Sequence, residues 1–168
     1  MSTDYEEFYK ENPHGLGEPF KEFVGFFDSY GKTAARVLDL GCGQGRDAMF
    51  IARKGHSVVG VDISATGIRQ LCEDAKKEIL EIEGVVADVK DYIPEGNFDV
   101  VVIDRTLHML SEEADRIEVL ENLVGFVNKD GYVLIADEKK NLPAMEKLFV
   151  ESGWTVSLLH RSFLFVQK

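Results

Sequence analysis

Apolar residues gather in short runs at about 36–41, 57–62, 84–88, 98–104 and 131–137, and most of the intervening segments repeat their apolar positions every three to four residues. The first pattern is that of buried strands, the second that of amphipathic helices. Ile68, Leu71, Cys72, Ala75 and Ile79 fall on one helical face, as do Ile117, Leu120, Leu123, Val124 and Val127. A helix from about Asp47 to Lys54 is closed by Gly55, and one over 142–152 is ended by Gly153. Pro94 breaks the short link between Asp88 and Phe98, leaving space for a helical turn or two at most. Segments 154–161 and 162–167 read as two more strands, giving seven. Alternating strands and helices predict an α/β fold with a doubly wound, mostly parallel sheet and right-handed crossovers.

The first of these runs carries the most chemistry. Val37 to Leu40 lead into three alternate glycines, Gly41, Gly43 and Gly45, with Asp39 two places ahead of the first. Glycine lets backbone approach a ligand closely and takes turn conformations with positive φ without steric cost. Dinucleotide binders use G-x-G-x-x-G, but here the third position of that pattern is Arg46, and the glycines alternate instead. A carboxylate at Asp39 suits a cationic ligand better than a pyrophosphate. S-adenosylmethionine, with an ammonium and a sulfonium, fits that electrostatic demand.

This glycine loop resembles motif I of the class I S-adenosylmethionine-dependent methyltransferases, and further motifs follow in order. The run 57–62 ends in Asp62, 84–88 ends in Asp88, and 98–104 ends in Asp104. The resemblance spans about Arg36 to Lys168 and implies a Rossmann-like, seven-stranded sheet. Its last strand would run antiparallel between strands five and six, a feature with no sequence signature of its own. The same resemblance implies that Gly41, Cys42, Gly43 and Gly45 form the cofactor loop and that Asp62 accepts from both ribose hydroxyls. Ile63 and Ser64 would flank the adenosine, Asp88 would accept from the adenine amino group, and Val89 would pack on the ring. Ser64 also reads as an N-cap. Segment Gly43 to Asp47 is similar to the tellurite-resistance type of small methyltransferase, and the Asp104-Arg105 pair to the thiopurine and thiol or halide branch.

Composition narrows the partners. A chain of 168 residues makes a single domain able to bury a core, with 36–168 as the methyltransferase core and 1–30 as an N-terminal segment. No apolar stretch is long enough to span a membrane. The acidic start, Met1 to Glu7, lacks the layout of a signal peptide, so cytoplasmic residence is expected. Cys42 and Cys72 read as reduced, packed residues. No metal site is expected. The net charge of −11, with basic residues only in isolated pairs such as Arg53-Lys54, disfavours nucleic acid as a partner.

Acceptor chemistry is expected at two places. Arg105 and His108 follow strand four and are the candidate catalytic residues, although Asp104 and Arg105 could equally pair with each other or orient the cofactor's carboxylate. At the N-terminus, Phe20, Phe23, Val24 and Phe27 recur at helical spacing after Pro19 and read as packing residues, whereas Tyr5 and Tyr9 fit either packing or a lid. Methyl transfer is an in-line displacement from a sulfonium, so alignment and exclusion of water supply most of the acceleration and a general base is optional. Short connections after strands four to six favour a small acceptor. A non-catalytic S-adenosylmethionine-binding module would carry the same cofactor motifs; a nicotinamide-dependent oxidoreductase fails on glycine spacing.

Overall fold

The computed structural model describes residues 4–15 and 17–168. Met1 to Thr3, part of the acidic start considered above, lie outside the described residues. Two short helices, α1 (Tyr5–Glu11) and α2 (Lys21–Ser29), precede an alternating core. Strand β1 (Arg36–Leu40) leads to α3 (Arg46–Arg53), β2 (Ser57–Asp62), α4 (Ala65–Glu78) and β3 (Ile82–Val86). Then come β4 (Phe98–Asp104), a 3-10 turn (Leu107–Met109), α5 (Glu113–Val124), β5 (Val127–Ala136), α6 (Leu142–Glu151), β6 (Thr155–His160) and β7 (Phe163–Gln167). Among the described residues no helix is long and apolar enough to cross a membrane.

The strands form one sheet in the order β3-β2-β1-β4-β5-β7-β6. Strand β7 runs antiparallel to both neighbours, and the remaining strand pairs are parallel. Side chains alternate faces along each strand. Leu38, Leu40, Val59, Val61, Val101 and Ile103 therefore join one buried layer beneath α5 and α6, while Val37, Val58, Val100 and Val102 join a second layer beneath α2, α3 and α4. Every residue of β4 is buried, as expected of a central strand covered on both faces. Phe23 and Phe27 of α2 are buried in the second layer, Phe23 stacking on Phe165 at 5.6 Å. Removing such a side chain would cost about 3–5 kcal/mol.

Several boundaries depart from the sequence pattern. Val127 is the first residue of β5 rather than a member of the α5 face, because the chain turns at Gly125 and Phe126. Ile79 caps α4 in the left-handed conformation at φ 56° and is 93% exposed, so it leaves the buried face. Strand β3 covers Ile82–Val86, two residues earlier than the apolar run suggests; it is an edge strand, and Asp88 lies in the following turn, its backbone carbonyl accepting the amides of Asp91 and Tyr92 and its carboxylate the Lys90 amide at 2.9 Å. Helix α2 begins at Lys21, with Phe20 rather than Pro19 at its entry.

Strand order reverses between β1, which leads toward β2, and β4, which leads toward β5. Connections leave the carboxyl ends of these neighbours in opposite directions and open a crevice there.

Candidate active site

Two glycines fix the loop that follows β1. Gly41 has φ 77°, and a Cβ there would collide with the Thr106 side chain; Gly45 has φ 88°, and a Cβ would collide with Leu71. No other residue satisfies both the left-handed backbone and the close approach. The Asp62 carboxylate supports the same loop, accepting from Gly43 N–H at 2.9 Å and Ser64 N–H at 2.8 Å. Burial raises the Asp62 pKa, and those two amides oppose the shift.

Beside the loop lies a cavity of about 400 Å³. Gly41, Cys42, Gly43, Asp62, Ile63, Asp88, Val89, Asp104 and Arg105 all line it, so nine of the expected residues converge. Tyr5, Arg46, Asp47, Thr106, Met109 and Leu110 also line it; of these, Tyr5 had been expected either to pack or to serve as a lid. Tyr5 arrives from α1, more than thirty residues upstream of the glycine loop.

Four expected residues stand elsewhere. Asp39 is 1% exposed and is not among the residues lining the cavity. Gly45 is the entry residue of α3. Ser64 caps α4, accepting from Gly67 N–H at 3.0 Å. His108 sits in the 3-10 turn, where its amide donates to Asp137 Oδ2 at 2.9 Å; its ring Nδ1 is buried without a partner among the described residues, and it does not line the cavity. Arg105 and His108 are thus not brought together around one point. Arg105 does reach the cavity, from a left-handed backbone at φ 53° that is unusual for a long side chain.

The electrostatics of the crevice are unbalanced. Asp39, Asp47 and Asp104 are buried around a single guanidinium, that of Arg46. Asp104 pairs with Arg46, not with Arg105, and Arg46 also contacts Asp47 at 3.5 Å. Oxygens Asp39 Oδ2, Asp47 Oδ1 and Asp104 Oδ1 have no donor among the described residues. Burial, then the neighbouring Asp47, push the Asp104 carboxyl up to about 8 against the pull of Arg46. Burial followed by Asp47 and Asp104 also drives Asp39 well above the carboxylate range. Among the described residues no group of His, Cys, Asp and Glu has metal-holding geometry. Cys42 carries a thiol that burial, then Asp39, hold strongly protonated, which fits a packed residue rather than a nucleophile.

A doubly wound sheet with a glycine loop, an acid at the end of β2 and a ligand-sized crevice at its switch point defines a nucleoside-binding class. Residues 37–131 match the family described as "Methyltransferase domain". The chain is 33% identical over 104 residues to TehB of Haemophilus influenzae, a probable S-adenosyl-L-methionine-dependent methyltransferase, covering 61% of this chain and 36% of that protein. It is 30% identical over 104 residues to a 2-heptyl-1-hydroxyquinolin-4(1H)-one methyltransferase of Mycobacteroides abscessus, covering 60% of this chain and 45% of the relative. The chain therefore spans less than half the length of these curated relatives. Among solved structures, TehB from Haemophilus influenzae superposes with a TM-score of 0.75 at 19% identity, covering 98% of this chain and 67% of that one. The magnesium protoporphyrin IX methyltransferase of Synechocystis PCC 6803 with bound S-adenosylmethionine gives 0.74 at 15% identity, over 100% and 99% of the two chains. These structural likenesses speak for the fold. The chain belongs to the S-adenosylmethionine-dependent methyltransferase family.

Proposed function

We propose that this protein transfers the methyl group of S-adenosylmethionine to a small-molecule acceptor in the crevice at the carboxyl end of β1 and β4. The observation that carries this reading is the convergence of the glycine loop, Asp62, Asp88 and a surplus of buried carboxylates on one cavity. Asp62 takes the ribose hydroxyls, with Ile63 beside the adenosine; Asp88 and Val89 address the adenine. Gly41, Cys42 and Gly43 give the cofactor a flat backbone wall, while Gly45 and Ser64 act one step back as helix-entry residues. The cluster of Asp39, Asp47 and Asp104 attracts the ammonium, and Arg46 is placed to meet the carboxylate.

The cofactor supplies an activated methyl and a neutral thioether as leaving group: an acceptor lone pair forms the new bond to carbon as the carbon–sulfur pair returns to sulfur. The chain's task is alignment and exclusion of water. Tyr5, Met109, Leu110 and Arg105 form the acceptor side, Arg105 being the one cationic side chain among them. His108 serves as a turn residue in this arrangement. We further read 1–168 as one methyltransferase domain in which the N-terminal segment, 1–30, closes over the core, 36–168. The net charge of −11 gives a nucleic-acid acceptor no counter-charge. A non-catalytic binding module is the second reading, and the open, Arg105-bearing side of the cavity favours catalysis over it. Incubating the protein with S-adenosylmethionine and a panel of small sulfur, oxygen, nitrogen, halide and metalloid acceptors tests the proposal. Acceptor-dependent release of S-adenosylhomocysteine supports it; binding without turnover across the panel favours the module.

A further inference from the structure

Gln44 occupies the middle of the glycine loop, yet its side chain turns away from the cavity and is 7% exposed. Its amide is engaged with the N-terminal segment. Nε2 donates to the Asn12 carbonyl at 2.8 Å and to Gln70 Oε1 at 2.8 Å, and Oε1 accepts the Gly15 amide at 3.1 Å. Gln70 relays the contact by donating to the Tyr9 carbonyl at 3.0 Å. A second tie forms at the other end of α1. The Glu6 carboxylate accepts from Ser64 Oγ at 2.5 Å, from Thr66 N–H at 3.2 Å and from Thr66 Oγ1, all at the start of α4. Ser64 and then Thr66 hold the Glu6 carboxyl down at about 2, so this tie stays ionised at ordinary pH.

Both ties end on the loops that line the crevice. Ser64 N–H and Gly43 N–H meet on the same Asp62 carboxylate, and Gln44 follows Gly43 directly. Between the two ties Tyr9 is buried, its ring 3.1 Å from where a Cβ on Gly67 would lie, a position also 2.8 Å from the Gly43 carbonyl. Tyr5, on the same helix, faces the cavity. A shift of the glycine loop thus moves the anchor of the helix that supplies the acceptor wall.

We propose that Gln44 is a positioning residue that couples occupancy of the crevice to docking of α1, so that the Tyr5 wall is set in place when the cofactor loop is. The inference rests on the S-adenosylmethionine reading of the crevice. Coupling between two sites is reciprocal: if a bound cofactor favours docking of α1, docking favours the cofactor by the same factor.

Hydrogen–deuterium exchange of the α1 amides, with and without S-adenosylhomocysteine, tests this in the parent protein, Gln44→Ala and Gln44→Glu. The parent should show slowing by roughly tenfold on binding. Gln44→Ala should lose that slowing and bind S-adenosylhomocysteine more weakly by a comparable factor. Gln44→Glu, which keeps the acceptor for Gly15 but not the two donations, should fall between. A residue that merely anchors α1 would speed exchange equally in both states and leave the ratio intact. An unchanged ratio in Gln44→Ala, or no slowing in a parent protein that binds S-adenosylhomocysteine, overturns the coupling and leaves the proposed function standing. Failure of the parent to bind S-adenosylhomocysteine overturns both.

Discussion

Asp99 and Asp104 stand near opposite ends of the same central strand, β4, and both are buried. At the amino end, Asp99 accepts from Lys32 Nζ at 2.6 Å, from Asn128 Nδ2 at 3.0 Å and from the Arg36 amide at 2.9 Å. Burial opposes its ionisation, but Lys32, the Arg36 amide and Asn128 outweigh burial and lower its pKa. At the carboxyl end, Asp104 shares Arg46 with Asp47, has one oxygen without a donor among the described residues and is pushed up to about 8. One strand thus holds a finished ion pair at one end and an unfinished one at the other. Buried polar groups that only support the fold are satisfied by the fold. Those left in surplus fit the proposed seat of the cofactor's ammonium, since perturbed groups concentrate at functional sites.

The largest effect should come from the finished end. Asp99→Ala strands Lys32, the Arg36 amide and Asn128, and should lower unfolding free energy by about 2–3 kcal/mol in urea titrations, leaving cofactor affinity unchanged. Asp104→Asn should do the reverse. Cofactor affinity measured by calorimetry should drop by about 1.5–2 kcal/mol, because a charged acceptor is lost, while stability at pH 8 should hold or rise. A loss of stability like that of Asp99→Ala would break the contrast between the two ends. Asp62→Ala should weaken the cofactor by at least ~1 kcal/mol by stranding hydroxyl donors, and frees the Gly43 and Ser64 amides as well.

The remaining effect is the pH dependence. A carboxyl raised from 3.8 to about 8 on folding binds an extra proton in the folded state, so its contribution falls as pH rises through that window. Asp99 has the opposite sign, stabilising above its ordinary 3.8 and losing that contribution as pH falls through its lower folded value. Buried His56, whose pKa is lowered first by burial, also stabilises more as pH rises through its ordinary 6.5. The difference in Tm between the parent and Asp104→Asn isolates Asp104; it should widen steadily as pH rises from 6 to 8.5.

The satisfied and unsatisfied regions also differ in how far the sequence exposes them. Continuous apolar runs and the alternate glycines bring out β1, β2, β4 and the loop at Gly41 to Gly45, because a central strand buried on both faces is apolar nearly throughout. Edge strand β3 is only half-buried, so its pattern is weak and its position slips by two residues. Val127 continues a helical repeat by coincidence, and only the turn at Gly125 and Phe126 reassigns it to β5. Asp62, Asp88 and Asp104 are visible because each ends an apolar run. The crowding of Asp47 against Asp104, the Glu6 and Gln44 ties and the place of Tyr5 join residues far apart in the chain, with no local periodicity to announce them. His108 shows the converse: its residue type suggests a base, but its backbone amide is committed to Asp137 and the residue is not among those lining the cavity.

Calorimetric titration of S-adenosylmethionine and of a nicotinamide dinucleotide, each into the parent protein and Asp62→Ala, tests the central claim most directly. The account predicts saturable one-site binding of S-adenosylmethionine, weakened at least about fivefold by Asp62→Ala, and no binding of the dinucleotide. Tight binding of the dinucleotide with none of S-adenosylmethionine, or an affinity for S-adenosylmethionine indifferent to Asp62, would contradict it.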